Sequence, residues 1–114
     1  MTYTQNVADV LKKVVSSVNA EMPGVVEQII LYGSYARGDY SAESDLDIML
    51  LMNCSHTEIR QFQKAVCKIA SRIGLEGNIE VSLMMQDKET FEKRLAILPF
   101  YRNVKKEGIM LYES

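Results

Sequence analysis

The chain reads as an α/β (α+β) protein in which a small mixed β-sheet is flanked by helices. Three observations point there. Segments with apolar residues at helical spacing alternate with short β-branched runs, in the order α, β, β, α, β, α, β. Apolar residues make up 47% and charged residues 25% of the 114 residues, the mixture of an ordinary globule. No repeat, low-complexity tract or Pro/Gly/Ser linker divides the sequence, so residues 1–114 are expected to form one domain.

Val7, Val10, Leu11, Val14, Val15 and Val18 predict a first helix reaching about residue 20, ended by Pro23-Gly24. Val25 to Tyr32 is short and β-branched, which suits a buried strand that stops at Gly33. A polar loop follows, and Asp45 to Met52 reads as a second strand. Ser55-His56-Thr57-Glu58 matches a capping box, so His56 is read as structural. Ile59, Phe62, Val66, Ile69, Ala70 and Ile73 then trace one helical face, closed by Gly74. Asn78 to Met85 reads as a third strand. Asp87 can cap a helix carrying Phe91, Leu95 and Leu98, which Pro99 interrupts before another turn or two over Phe100 to Lys106. Gly108 precedes a last strand, Ile109 to Tyr112. The seven methionines are read as core filler.

Charge and composition exclude several classes. A net charge of -2 argues against an extended nucleic-acid footprint. No apolar run reaches the roughly 18 residues of a membrane span. Met1 to Asn6 lacks the basic region and apolar core of a signal peptide. Cys54 and Cys67 are too few and too far apart for a zinc motif and read as reduced thiols, so the expected location is cytoplasmic.

The chemistry is concentrated between Leu31 and Leu51. Side chains two apart on a strand share a face, so Asp45 and Asp47 point the same way, with α-carbons about 6.6 Å apart. Leu46, Ile48 and Leu50 face the helix-covered core. Two like charges on one face repel unless a cation lies between them, and oxygen-only ligands suit Mg²⁺ or Mn²⁺. In the third strand Ile79, Val81, Leu83 and Met85 form the core face, leaving Glu80 as the only acid on the opposite one. Glu80 is either a third carboxylate of the site or a solvated edge residue. Three such carboxylates could hold two Mg²⁺ roughly 4 Å apart, as in-line phosphoryl displacement requires. Gly33-Ser34 supplies the other half: a glycine that lets backbone approach a phosphate, a hydroxyl donor and a following helical turn with free N–H groups. Arg37 either adds positive charge for a triphosphate or is a solvated loop charge. Asp-x-Asp or Gly-Ser alone is weak; their order along strand, turn, loop and acidic strand is far more specific.

Gly33-Ser34, ten residues, then Asp45-x-Asp47 resembles the signature of the minimal nucleotidyltransferase family, whose fold is that of the DNA polymerase β catalytic core. Ala36-Arg37-Gly38-Asp39, Ser44-Asp45 and the ending Arg102 to Tyr112 also resemble that family, and the likeness covers almost the whole chain. The resemblance implies an ATP-using, Mg²⁺-dependent enzyme in which Asp45 and Asp47 hold metal and Gly33 and Ser34 bind nucleotide phosphates. Glu80 takes the third-acid role, where the family more often has Asp; its side chain is one methylene longer. The resemblance further implies a HEPN-type helical toxin as partner, with the nucleotidyltransferase as antitoxin, and transfer of AMP to a tyrosine of that toxin. Larger relatives bind their acceptors with extra domains, for which 114 residues leave little room, so a docking second protein is the natural acceptor. Two rivals stand beside this: an antitoxin that acts by contact alone, and a nucleotidyltransferase of small molecules.

Overall fold

A computed structural model describes residues 3–114; the first two residues of the N-terminal stretch, read above as lacking a leader, lie outside the described residues. Helix α1 (Gln5–Glu21) opens at Thr4, whose hydroxyl accepts from the Val7 N–H at 3.2 Å. Strand β1 (Val26–Tyr32) is followed by α2 (Ser34–Arg37), a single turn. After the loop come β2 (Leu46–Met52), a 3₁₀ turn (Glu58–Phe62), α3 (Gln63–Gly77) and β3 (Val81–Asp87). The chain ends with α4 (Lys88–Leu95), α5 (Pro99–Glu107) and β4 (Ile109–Glu113).

The four strands lie in the order β3-β2-β1-β4. β1 is antiparallel to β2 and β4, and β2 is parallel to β3 across the α3 crossover. The expected mixed sheet is therefore present. Leu46, Ile48 and Leu50 are fully buried, with Ile29 and Leu31, against Val10, Val14 and Val18 of α1 and Val66, Ile69 and Ile73 of α3. Each such aliphatic side chain contributes about 1.5–3 kcal/mol of transfer free energy. The opposite face is covered too. Ile30, Met49 and Leu51 pack against Phe91 of α4 and Tyr101 and Val104 of α5. This second core explains why β2 reads as a near-continuous apolar run: it is the central strand of a sheet buried on both sides.

The capping box forms as expected: the Ser55 N–H donates to Glu58 at 3.0 Å and the Glu58 N–H to the Ser55 hydroxyl at 3.3 Å. It leads into a 3₁₀ turn, whose own N-cap is Thr57, rather than opening α3 directly. Asp87 caps α4 as expected, accepting from the Thr90 N–H at 2.9 Å, and its other oxygen meets the His56 ring at 3.3 Å.

Several boundaries differ from expectation: the second strand starts at Leu46, leaving Asp45 outside it, and Ile59 and Phe62 lie in the 3₁₀ turn, with α3 starting at Gln63. Gly74 does not close α3, which runs on to Gly77. A Cβ at Gly74 would lie 2.8 Å from the Ile79 carbonyl oxygen, so this glycine permits close chain approach rather than ending the helix. The stop is Asn78, left-handed at φ 51°, whose N–H returns to the Gly74 and Leu75 carbonyls. The third strand starts at Val81 rather than Asn78, because residues 78 and 79 are spent on that cap. The helix after Asp87 ends at Leu95, leaving Leu98 exposed, and Pro99 opens a separate helix at its first position. Met22, Met49 and Met52 are core filler as expected, but Met110 is 48% exposed on edge strand β4.

Candidate active site

The sheet register sets the site. Asp47 pairs with Tyr32 on the antiparallel neighbour and with Ser82 on the parallel one. Asp47 thus sits near the start of β2, on the face that α4 and α5 cover further along at Met49 and Leu51. Asp45 lies just before the strand. The two acids feel each other: burial first, then the Asp45 charge, raises the Asp47 pKa, while Arg37 pulls it down.

Gly33 brings the turn onto this carboxylate. Its φ of 75° and ψ of -155° belong to a region essentially closed to other residues. A Cβ there would lie 2.5 Å from Asp47 Oδ2, so the glycine is required by approach as well as by conformation. The Gly33 carbonyl accepts from the Ala36 and Arg37 N–H groups, both at 3.1 Å, and closes the α2 turn. The N–H groups of Ser34 and Tyr35, first in that turn, have no intrahelical acceptor. The two halves of the sequence motif therefore meet in space.

Arg37 is the last residue of α2. It is near enough to Asp47 to lower that pKa, yet its guanidinium also pairs with Asp39 at 3.3 Å and Glu107 at 3.8 Å and is about half exposed. Surface pairs of this kind are worth under about 1 kcal/mol, so they leave Arg37 free to exchange partners.

Glu80 lies one residue ahead of β3 and is exposed. The ladder nevertheless continues to it, because its carbonyl accepts from the Leu46 N–H at 2.9 Å. This sets Glu80 beside Asp45. A hydrogen bond shared with Asp45, then the Asp45 charge, raises the Glu80 pKa. Glu80 also lines an open groove of about 540 Å³, together with Gly74, Leu75 and Val81 among others.

Among the described residues no three His, Cys, Asp or Glu side chains form a ready cation cage. The carboxylates instead form two pairs that share Asp45. Each pair is an all-oxygen donor set strained by repulsion, which fits a hard divalent cation completed by oxygens from elsewhere. Two neighbours escaped sequence reasoning. Tyr32, half-buried with its pKa raised by burial, Asp47 and Tyr101, touches the site only through cross-strand register. Glu107 reaches Arg37 from the far end of α5. Nothing in the local sequence signals either contact.

Known proteins resemble this chain in sequence and fold. The family model described as "Nucleotidyltransferase domain" matches residues 11–111. A Methanocaldococcus jannaschii protein, provisionally named a protein adenylyltransferase, is 31% identical over 102 residues, covering 90% of this chain and 94% of the relative. A crystal structure of a toxin–antitoxin with AMP-PNP has the same fold, with a TM-score of 0.62 at 20% identity over 91% of this chain and 73% of that one. The toxin–antitoxin MntA–HepT gives a TM-score of 0.56 at 17% identity over 94% of this chain and 73% of that one. No helix among the described residues is long and apolar enough to cross a membrane. Matched by that family model over most of its length, and by a relative of nearly equal extent, the chain belongs to the nucleotidyltransferase family.

Proposed function

We propose that this nucleotidyltransferase moves AMP from ATP to a hydroxyl, that of a tyrosine, on a helical HEPN-type toxin, and so acts as the antitoxin of a pair. The observation that carries the proposal is the meeting of Gly33 with Asp47, which brings a turn with free backbone N–H groups against an acid pair. The name of the archaeal relative supports protein as the acceptor, and the fold shared with toxin–antitoxin structures supports a toxin as that protein.

Residues 1–114 act as one domain in this proposal. Asp45 and Asp47 hold Mg²⁺, with Glu80 as the third acid. Bound Mg²⁺ (two ions, or Mn²⁺ in their place) would neutralise the triphosphate and make the acceptor hydroxyl more acidic. Gly33 and Ser34 bind phosphate through backbone N–H groups and the hydroxyl, and Arg37 leaves Asp39 and Glu107 to meet the triphosphate. The acceptor oxygen bonds to the α-phosphorus, the bond to the β-phosphate oxygen breaks and pyrophosphate leaves. The hydroxyl proton passes to a neighbouring carboxylate acting as general base.

Intact-mass spectrometry of the co-encoded helical protein, after incubation with this chain, ATP and Mg²⁺, is the deciding measurement. Addition of one or more AMP masses is the expected result. A partner that stays unmodified yet is neutralised in the complex would leave an antitoxin acting by contact alone. Transfer only to small hydroxyl compounds would leave a small-molecule enzyme.

A further inference from the structure

The turn that carries Ser34 cannot hold its own position. α2 is four residues long, and helices far longer than that are marginal without tertiary packing. The start of the loop is tied to α2, the Gly38 and Asp39 N–H groups donating to the Ser34 carbonyl at 2.9 and 3.2 Å, and its remainder to itself, the Ser41 N–H donating to the Ser44 hydroxyl at 2.9 Å and the Ser44 N–H to the Ser41 carbonyl at 3.1 Å; the exposed Arg37–Glu107 pair adds little. Something else must hold the turn and Asp45 at a constant separation.

Three tyrosines meet at that place. Tyr35, in α2 directly after Ser34, is buried in the main core. Tyr40, from the loop, stacks on it with ring centroids 4.2 Å apart and planes 9° from parallel. Tyr3, before α1, lies about 6 Å from both rings, and its hydroxyl donates to the Tyr35 carbonyl at 2.7 Å. That carbonyl lies too near the end of α2 to find an intrahelical donor. The stack, the ring contacts and the part-buried hydrogen bond all bear on this one turn and loop.

We infer that Tyr3, Tyr35 and Tyr40 form a clamp that fixes the Gly33-Ser34 turn relative to Asp45, with Tyr3 and Tyr40 as positioning residues for nucleotide transfer. The inference rests on the site assignment proposed above. The rings of Tyr3, Tyr35 and Tyr40 are not among the groups proposed to hold metal or phosphate. It acts by keeping two parts of the site within the fraction of an ångström that phosphoryl transfer tolerates, since a misplacement of about 1 Å can cost about 10²-fold in rate.

The test compares Tyr40→Ala, Tyr40→Phe and Tyr3→Phe with Ile73→Val, a core change remote from the loop, all well below their melting temperatures. Hydrogen–deuterium exchange over residues 33–45 is measured first, because it needs no activity. Tyr40→Ala should speed exchange there at least about tenfold, Tyr3→Phe should speed it in α2, and Tyr40→Phe, which keeps the stack, should leave it as in the parent. AMP transfer at saturating ATP should follow: at least about tenfold lower kcat for Tyr40→Ala, rescue within about twofold by Tyr40→Phe, and no loss for Ile73→Val. Unchanged exchange in Tyr40→Ala, or equal loosening of residues 33–45 in Ile73→Val, overturns the clamp. Exchange that responds as expected in a parent that transfers no AMP upholds the clamp and defeats the transfer proposal instead.

Discussion

Replacing Gly33 with alanine should damage both stability and catalysis, for two separable reasons. Alanine at φ 75° and ψ -155° costs about 1–3 kcal/mol of backbone strain. For a chain of about this size that lowers Tm by roughly 4 °C or more per kcal/mol. The new Cβ would also stand 2.5 Å from Asp47 Oδ2, whereas ordinary contact begins at 3.4 Å, so the carboxylate must retreat by the difference, 0.9 Å. A displacement of about that size predicts a rate loss of about 10²-fold. Gly24→Ala is the control: its φ is 76° and nothing lies within 4 Å of its Cβ, so it carries strain without displacing a site residue. Thermal unfolding and AMP-transfer rates should show both variants destabilised but Gly33→Ala alone crippled. A Gly33→Ala protein with parental Tm and rate would refute the approach of turn and carboxylate. Equal rate losses in both would refute the displacement.

The acid pairs set a pH dependence. The Asp47 pKa is raised above its ordinary 3.8, so the metal-free folded state holds this proton more tightly than the unfolded chain does. The contribution of Asp47 to stability is then greatest below about 3.8 and is lost as pH rises through the raised folded value, opposite in sign to that of Asp87, whose pKa is lowered. Asp47→Asn should flatten that decline and leave Tm at neutral pH unchanged or higher, while transfer falls at least about 10²-fold; a marked loss of Tm would instead mean a structural carboxylate. Calorimetry should find ATP bound far more tightly with Mg²⁺ than without, and an Asp45→Asn/Asp47→Asn double variant should lose that difference; equal affinity in all conditions refutes the metal assignment. Glu80→Ala should cost about 10²-fold in rate if Glu80 is the third acid, and a near-parental rate would make it a solvated residue beside Asp45.

Much of this was legible along the chain, because it is local. The valine stripe of α1, the box at Ser55 and Glu58, and the cap at Asp87 each depend on residues three or four apart. The nearness of Asp45 to Asp47 follows from their spacing of two, although Asp45 lies just outside the strand expected to carry it, and the need for glycine at position 33 follows from turn geometry. Other features had no local signature. Gly74 looks like a helix stop until the Ile79 carbonyl is seen packed against it, and Asn78 does the stopping. Tyr32 and Ser82 flank Asp47 only because one neighbour strand is antiparallel and the other parallel. The second core under Met49 and Leu51 requires α4 and α5 to fold back over the sheet, and the Tyr3 hydroxyl meets a carbonyl 32 residues away. Periodicity and capping report the backbone over one or two turns. Strand register, the choice of neighbour and the closeness of distant chain segments are set by packing of the whole sheet, and no short window of sequence carries that information.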